Sequence, residues 1–434
     1  MNNNNPNSAL LLGSIQWLFF MFTNTIVIPL SVGAAFQLPA GDIESAMRTS
    51  FILTGAACLL QALFGHRLPL MEGQSGLWWS LILSLAAATA STGGSMEVLG
   101  GSLSLGILIG GLVVAVLGAL GFTKVLSRLF TRNVMAVFLF LLSFQLSSIF
   151  FKGMLGLTGR SSINPAEAGL SVVLVALVVF ISLKGRGMIS NFSILIGIII
   201  GWILYVVFLP GAPEPAAGAA GTASARIFEL FPWGSPAVDL GVMVTAVLAA
   251  VVNMTNNIAS IKGAEPIMGR EMTQGQYKAS MIWTGLISSA AGVFGAVPYA
   301  PYSSSLGFLL STRILSRAPF LLGAALFVLI GIVPALGHFF SSLPISVGNA
   351  VLFAAYLQLL GSALRNVEGV SYNYRTIYRI AAPVLVGMSL MTLAPSVFAS
   401  FPGYIRPLLS NGLLVGVLFS LALENLIRWE QYET

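Results

Sequence analysis

Long apolar runs separated by short polar stretches recur along the whole chain. Ala9 to Val32, Leu99 to Gly121, Val134 to Phe151, Leu170 to Leu183 and Ile194 to Leu209 are examples. Each is about long enough to cross ~30 Å of hydrocarbon at ~1.5 Å per helical residue. A transmembrane barrel would show alternating segments of ~10 residues instead. The pattern predicts an all-α polytopic membrane protein with 14 transmembrane segments, two of them short.

One short segment is "LPLMEGQSGLWWSLILSL", Leu68 to Leu85. Its first half holds Pro69, Glu72, Gly73, Gln74, Ser75 and Gly76, poor material for a membrane helix. After Gly76 about fifteen apolar residues remain, or ~22 Å of helix, too little to span. The missing length must be extended chain, which is tolerated at membrane depth only inside protein or beside a polar cavity.

The longest non-apolar stretch, Pro210 to Val238, sits at the midpoint and raises the question of a repeat. A slide of 230 residues lays "GAACLLQALFG" (Gly55 to Gly65) on "GLISSAAGVFG" (Gly285 to Gly295), and Ser75 then falls on Ser305. A slide of 213 residues lays "VFLFLLSFQL" (Val137 to Leu146) on "AVLFAAYLQL" (Ala350 to Leu359). Seven spans per half is an odd number, so the halves are inverted in the membrane. Such 7+7 repeats with Gly/Pro-interrupted segments at corresponding places mark transporters. Segments 3 and 10 are then each a short extended strand plus a half-helix, and the two strands can pair. Their helices begin near Gly76 and Leu306, with free N–H groups and positive dipole ends facing one another.

Composition agrees. The chain has 434 residues, 56% hydrophobic and 8% charged, against about a quarter charged in soluble domains. The first run lacks a basic leader and a cleavage site, so it reads as a retained span. The net charge of +6 reads as cytoplasmic loop charge, with no nucleic-acid partner. Placing both termini inside puts 15 of the 20 basic residues on the cytoplasmic side, as the positive-inside rule favours. Cys58 is the only cysteine, which excludes an intrachain disulfide. His66 and His338 are isolated, and no metal site is expected. No nucleotide-binding loop and no His/Asp or Cys/His constellation is present, so the chain is read as a transporter without cofactor, not an enzyme.

Three polar groups carry candidate chemistry. Asn253, Asn256, Asn257 and Ser260 share one helical face, as a polar wall for a heterocycle or as interhelical glue. Tyr302 with Ser303, Ser304 and Ser305 precedes the second half-helix. It can offer a ring face and donors, or ordinary N-caps. Glu72 is either a coupling acid or a group at the cytoplasmic mouth paired with Arg67 or His66.

The chain resembles the uracil and xanthine/purine permeases of the nucleobase–cation symporter-2 family, as a divergent member similar to bacterial purine permeases. The resemblance rests on "GSIQWLFFMFTNTIVIPLSVG", "FGHRLPLMEGQSGLWWS", "LKGRGMISNFSILIGIIIGWIL" and "APYSSSLGFLLSTRI". It implies a core domain from residues 1–121 (spans 1–4) and 238–337 (spans 8–11). It implies a gate domain from 122–209 (spans 5–7) and 338–434 (spans 12–14 and the tail), with 210–237 as an outer linker. Substrate would lie between the half-helices, at Ser75, Gly76, Tyr302, Ser303, Ser304 and Ser305. Asn256 and Ser260 would face it from span 8, with Asn253 and Asn257 as alternatives, and Gln16 would support it from span 1. Three departures stand out. Trp17 replaces the family's His after Gln16, span 8 lacks its glutamate, and Ser304 stands where an acid or Gln is usual.

The expectation is a multi-pass permease of the cytoplasmic membrane, moving a nucleobase by alternating access. A purine such as xanthine, hypoxanthine or guanine is expected, with H+, or else Na+, as coupling ion and a homodimer as the assembly. An anion transporter of the sulfate, dicarboxylate or bicarbonate type is the alternative.

Overall fold

A proline decides where the first apolar run breaks. Pro29 has no N–H to give to Thr25, so the helix α1 (Pro6–Thr25) ends there and α2 (Val27–Ala35) resumes after Ile26. The two still form one apolar stretch from Leu10 to Ala35. The computed structural model describes residues 6–157, 162–185, 188–209, 227–371, 373–427 and 429. Residues 210–226 of the expected linker, and Arg160, Arg186, Arg226 and Arg428, lie outside the described residues.

In chain order there follow α3 (Ala40–Leu63), the strand β1 (Glu72–Gln74), α4 (Gly76–Ser91), α5 (Met96–Leu120), α6 (Thr123–Leu129), α7 (Arg132–Met154), α8 (Pro165–Lys184), α9 (Met188–Asn191) and α10 (Ser193–Phe208). The second half gives α11 (Leu240–Met268), α12 (Gln274–Val293), β2 (Tyr299–Pro301), α13 (Ser304–Thr312), α14 (Arg317–Ile332), α15 (Pro334–Ser341), α16 (Ile345–Asn366), α17 (Tyr374–Thr392), α18 (Arg406–Leu409) and α19 (Gly412–Leu426). Among the described residues, 7 helices are long and apolar enough to cross a membrane, or 8 if α14 and α15, bent by 84°, count as one. α4, α10 and α19 are apolar but shorter.

Two sets of contacts organise the helices. α5 packs on α11 and α12, α3 on α14, and α14 on α1; separately, α7 packs on α16 and α19, and α16 on α8. Small residues allow the first set to approach closely. A Cβ on Gly111 of α5 would lie 2.5 Å from the carbonyl oxygen of Gly285 in α12, and one on Gly285 would lie 2.5 Å from the Ala115 nitrogen.

The two strands form the only sheet among the described residues. β1 and β2 are antiparallel, with Glu72 opposite Pro301, Gly73 opposite Ala300 and Gln74 opposite Tyr299. The ladder continues at both ends, through Tyr302 N–H to Met71 O (2.8 Å) and Ser75 N–H to Pro298 O (2.7 Å). Each broken segment thus satisfies the other's backbone, which an open strand in hydrocarbon cannot do alone. α4 starts at Gly76 as the sequence predicts. α13 starts at Ser304, two residues before the expected Leu306.

Candidate functional site

The half-helices α4 and α13 begin where the paired strands end, so their first N–H groups have no intrahelical partner. A serine precedes each helix, the usual cap. Neither serine caps. Ser75 Oγ instead donates to Asn253 Oδ1 at 2.6 Å. Ser303 Oγ instead pairs with Ser260 Oγ at 3.0 Å. Both partners lie on α11, so neither serine side chain occupies a helix start; in α13 the Ser305 and Leu306 N–H groups turn back to Tyr302 O and Ser303 O (3.0 Å each).

α11 carries its four polar residues on one face, and the structure gives them different work. Asn253 is buried; besides Ser75 it bonds Tyr299 O through Nδ2 (2.9 Å). Ser260 is buried and donates to Pro301 O (2.9 Å). These two hold the strand pair onto α11 at points two helical turns apart. Asn257 is buried and turns to α12, donating to Ser280 Oγ (3.2 Å) and Thr284 Oγ1 (2.8 Å). Asn256 is the partly exposed one. Its Nδ2 donates to Asn253 Oδ1 (3.0 Å), which leaves its carbonyl oxygen as an open acceptor.

Tyr302 sits between the half-helices. Its N–H donates to Met71 O, and its hydroxyl donates to Gln74 O at 2.5 Å. The side chain therefore straddles Gly73, where an added Cβ would lie 2.9 Å from the ring. Tyr302 and Gly76 are partly exposed, Ser303 and Ser304 are exposed, and Ser305 is buried with Oγ accepting from Met71 N–H (3.1 Å). The structure thus brings Ser75, Gly76, Asn253, Asn256, Ser260 and Tyr302 to Ser305 into one region. Gln16 is half-buried on α1, beside Trp17. The Trp17 ring packs on Phe308 of α13 (4.4 Å between centroids) and Phe320 of α14 (4.8 Å). Indole thus fills the place where the family resemblance expects histidine.

Some residues at the site were not anticipated from the sequence. Tyr356 of α16 is one: its hydroxyl lies 3.7 Å from where a Cβ on Gly76 would be. Its ring packs on Phe150 (5.3 Å) and Trp79 (6.2 Å). The alignment of Val137–Leu146 with Ala350–Leu359 brackets Tyr356 but gives no sign that it faces the helix start. Trp79 is buried, donating Nε1–H to Ser31 Oγ (2.7 Å), and Trp78 is buried as well.

Glu72 corrects one of its two readings. It does not pair with Arg67 or His66; it is fully buried, and Oε1 accepts from Thr284 Oγ1 of α12 at 2.5 Å. The reason is the strand. Side chains alternate across β1, so Glu72 and Gln74 share the face away from Gly73 and Tyr302. His66 Nδ1 instead accepts from Leu68 N–H (3.0 Å). No group of three or more His, Cys, Asp or Glu able to hold a metal ion occurs among the described residues.

The candidate site therefore offers two helix N-termini, an open amide oxygen, hydroxyls and a tyrosine ring, with no formal charge among these groups. The xanthine/uracil permease model, described as "Permease family", matches residues 8–396. "Putative purine permease YwdJ" of Bacillus subtilis (strain 168) is 30% identical over 440 residues, covering 97% of both chains. The uric acid permease PucJ of the same organism is 24% identical over 424 residues, covering 94% of this chain and 90% of that one. Among solved structures, the transmembrane domain of the cyanobacterial bicarbonate transporter BicA superposes with a TM-score of 0.63 at 13% identity, covering 98% of each chain. The murine Slc26a9 anion transporter in its inward-facing state gives 0.64 at 16% identity, covering 100% of this chain and 70% of that one. At such identities the structures establish a shared fold. With a family model over most of its length and a relative at 30% identity, the chain belongs to the xanthine/uracil permease family of integral membrane transporters.

Proposed function

We propose that the protein is a secondary active transporter of a nucleobase, with a purine such as xanthine, hypoxanthine or guanine as cargo. One observation carries this reading. Both cap serines bond α11, whose Asn253 also holds the partly exposed Asn256 with its carbonyl open, and the partly exposed Tyr302 leads into the second helix start. A flat heterocycle can stack on the ring, accept from the helix N–H groups and donate an N–H to Asn256. Relatives named as purine, uric acid and xanthine permeases support the same class.

The reading extends to architecture. The fourteen segments are α1 with α2, α3, β1 with α4, α5, α7, α8, α10, α11, α12, β2 with α13, α14 with α15, α16, α17 and α19, as a 7+7 inverted repeat. Residues 1–121 and 238–337 form the core, and 122–209 and 338–434 the gate. The two separate sets of helix contacts support this division. Alternating access is then rocking of one part against the other, with Gly76 of the core meeting Tyr356 of the gate. Both termini are cytoplasmic, the membrane is the cytoplasmic one, the assembly is a homodimer, and an ion, H+ before Na+, drives uptake.

An anion of the sulfate, dicarboxylate or bicarbonate type is the second reading. It is favoured by the helix N-termini and the fold shared with anion transporters. Against it, an aromatic face carries negative quadrupole density, and an anion has no use for the Asn256 acceptor. Uptake into proteoliposomes under an imposed pH gradient, with a panel of labelled purines, pyrimidines and anions, decides between them. Competition by purines supports the first reading. Competition by sulfate or a dicarboxylate alone refutes it.

A further inference from the structure

A second polar cluster lies across β1 from Tyr302, and the cargo-facing groups make no use of it. Its centre is Thr284 Oγ1. That atom accepts from Gln61 Nε2 (2.9 Å) and Asn257 Nδ2 (2.8 Å), which fills both its acceptor positions. Its one proton is therefore committed to Glu72 Oε1, at 2.5 Å. Gln61 Nε2 also donates to Ser280 O (3.0 Å), and Asn257 Nδ2 to Ser280 Oγ. Three helices and a strand thus converge on one carboxyl group.

The other carboxyl oxygen, Glu72 Oε2, is buried without a hydrogen-bond partner. No described Lys, Arg or His pairs with the group. The titratable side chains nearest it are one thiol and two phenols. Cys58 of α3 meets the Glu72 backbone at N (3.3 Å) and O (3.6 Å). Tyr299 of β2 pairs its hydroxyl with Thr54 (3.2 Å), and Tyr302 bonds Gln74 O from the far face. An ionised carboxylate here would be a buried charge with no counter-charge, which is far costlier than the neutral acid. The cluster accordingly favours a proton on Glu72 whenever it is closed to water.

Two connections run from this carboxyl to the candidate cargo site. Asn257 and Thr284 also line a cavity of about 10 Å3, roughly the room one water needs, together with Asn253 and Trp78. Asn253 in turn holds Ser75 and Asn256. The second connection is backbone. Met71 O and Gln74 O, on either side of the Glu72–Gly73 pair, both accept from Tyr302.

We propose that Glu72, held by Thr284 with Gln61 and Asn257 behind it, carries the coupling proton at a site separate from the cargo and joined to it through β1 and Asn253. The inference rests on the transport reading above. Loading adds one H+ to the carboxylate from water on the acidic side, and release returns it to water on the other. By linkage, a proton that favours cargo binding is itself held more tightly when cargo is bound.

The test uses full-length protein in liposomes, with labelled hypoxanthine, xanthine and uric acid tried in turn. Wild type is expected to accumulate base under an inward proton gradient. Glu72→Gln, locked in the neutral form, is expected to lose that accumulation while still exchanging labelled for unlabelled base, which moves no net proton. Thr284→Val, which removes the hydroxyl that donates to Glu72 and accepts from Gln61 and Asn257, weakens gradient-driven accumulation and serves if Glu72→Gln does not fold. Infrared difference spectra of wild type against Glu72→Gln read the proton directly, as loss of a carboxylic-acid carbonyl band. Accumulation that survives in Glu72→Gln, absence of that band, or accumulation driven by a sodium gradient and not by protons would each overturn the assignment. If wild type moves sulfate and no base, the nucleobase reading fails alone, and the same wild-type and Glu72→Gln comparison on sulfate decides the proton site.

Discussion

Ser75 Oγ donates a 2.6 Å hydrogen bond to Oδ1 of Asn253, 178 residues further along the chain. The bond takes the cap of one half-helix and gives it to α11. Ser303 and Ser260 do the same for the other half-helix. Two helix starts are thereby left without a side-chain cap, near a tyrosine ring and an open amide oxygen. Asn253 is the keystone, since it serves Ser75, Asn256 and the Tyr299 carbonyl together.

Asn253→Ala strands Ser75 and the Tyr299 carbonyl, both buried, and releases the partly exposed Asn256. Each buried polar group left unpaired costs about 1–3 kcal/mol. The variant is expected to melt well below wild type in detergent and to lose transport. A melting point equal to wild type would show that the clamp contributes nothing.

Asn256→Ala has a different outcome. Its side chain is partly exposed and bonds only Asn253, so thermal stability should hold. Loss of one ligand hydrogen bond of about 1–1.5 kcal/mol weakens base affinity about tenfold. Binding of labelled base to purified protein checks it; unchanged affinity would remove Asn256 from the site.

Tyr302 separates into ring and hydroxyl. Tyr302→Ala removes the stacking surface, worth about 0.5–1.5 kcal/mol, and affinity should fall several-fold. Tyr302→Phe keeps the ring and loses only the bond to Gln74 O, so its affinity should lie between the two. Equal affinity in Tyr302→Ala and wild type would mean that the base does not meet this ring.

Gly73→Ala tests the fit from the strand side. The new Cβ would fall 2.9 Å from both the Tyr302 ring and the Met71 methyl, closer than carbon atoms pack. Overpacking of this kind costs about 1–3 kcal/mol. Reduced affinity with normal membrane insertion is expected; wild-type uptake kinetics would show that the ring is free to shift.

Close approach of α5 and α12 predicts a stability effect at their crossing. Gly111→Val would drive a branched side chain into the Gly285 carbonyl and the Ser289 side chain. Separation of the two helices should lower the detergent melting point more than any substitution at the cargo site except Asn253→Ala. A variant as stable as wild type would refute tight packing at this crossing.

Much of this was legible beforehand because it follows from solvent. Hydrocarbon forces long apolar helices, and the positions of Pro69, Gly73 and Gly76 mark where one must break. The start of α4 at Gly76 and the pairing of the two extended segments follow from that rule, since unpaired backbone has nowhere else to go. The polar face of α11 was visible as a spacing. Its division of labour was not, because spacing gives the direction of a side chain and not its partner. Thr284, Gln61, Ser280 and Tyr356 carried no signal. A single Thr, Gln, Ser or Tyr in an apolar helix looks the same whether it packs, caps or serves a site.

The sequence by itself determined that this chain lives in a membrane as helices, that two segments are interrupted, and where. These are local consequences of transfer free energy and backbone hydrogen bonding. Tertiary structure alone decided that Glu72 meets Thr284 and not Arg67, that the cap serines serve α11, and that Asn256 rather than Asn253 is partly exposed. Those outcomes depend on strand alternation and register between segments more than 200 residues apart, a relation that no local pattern encodes.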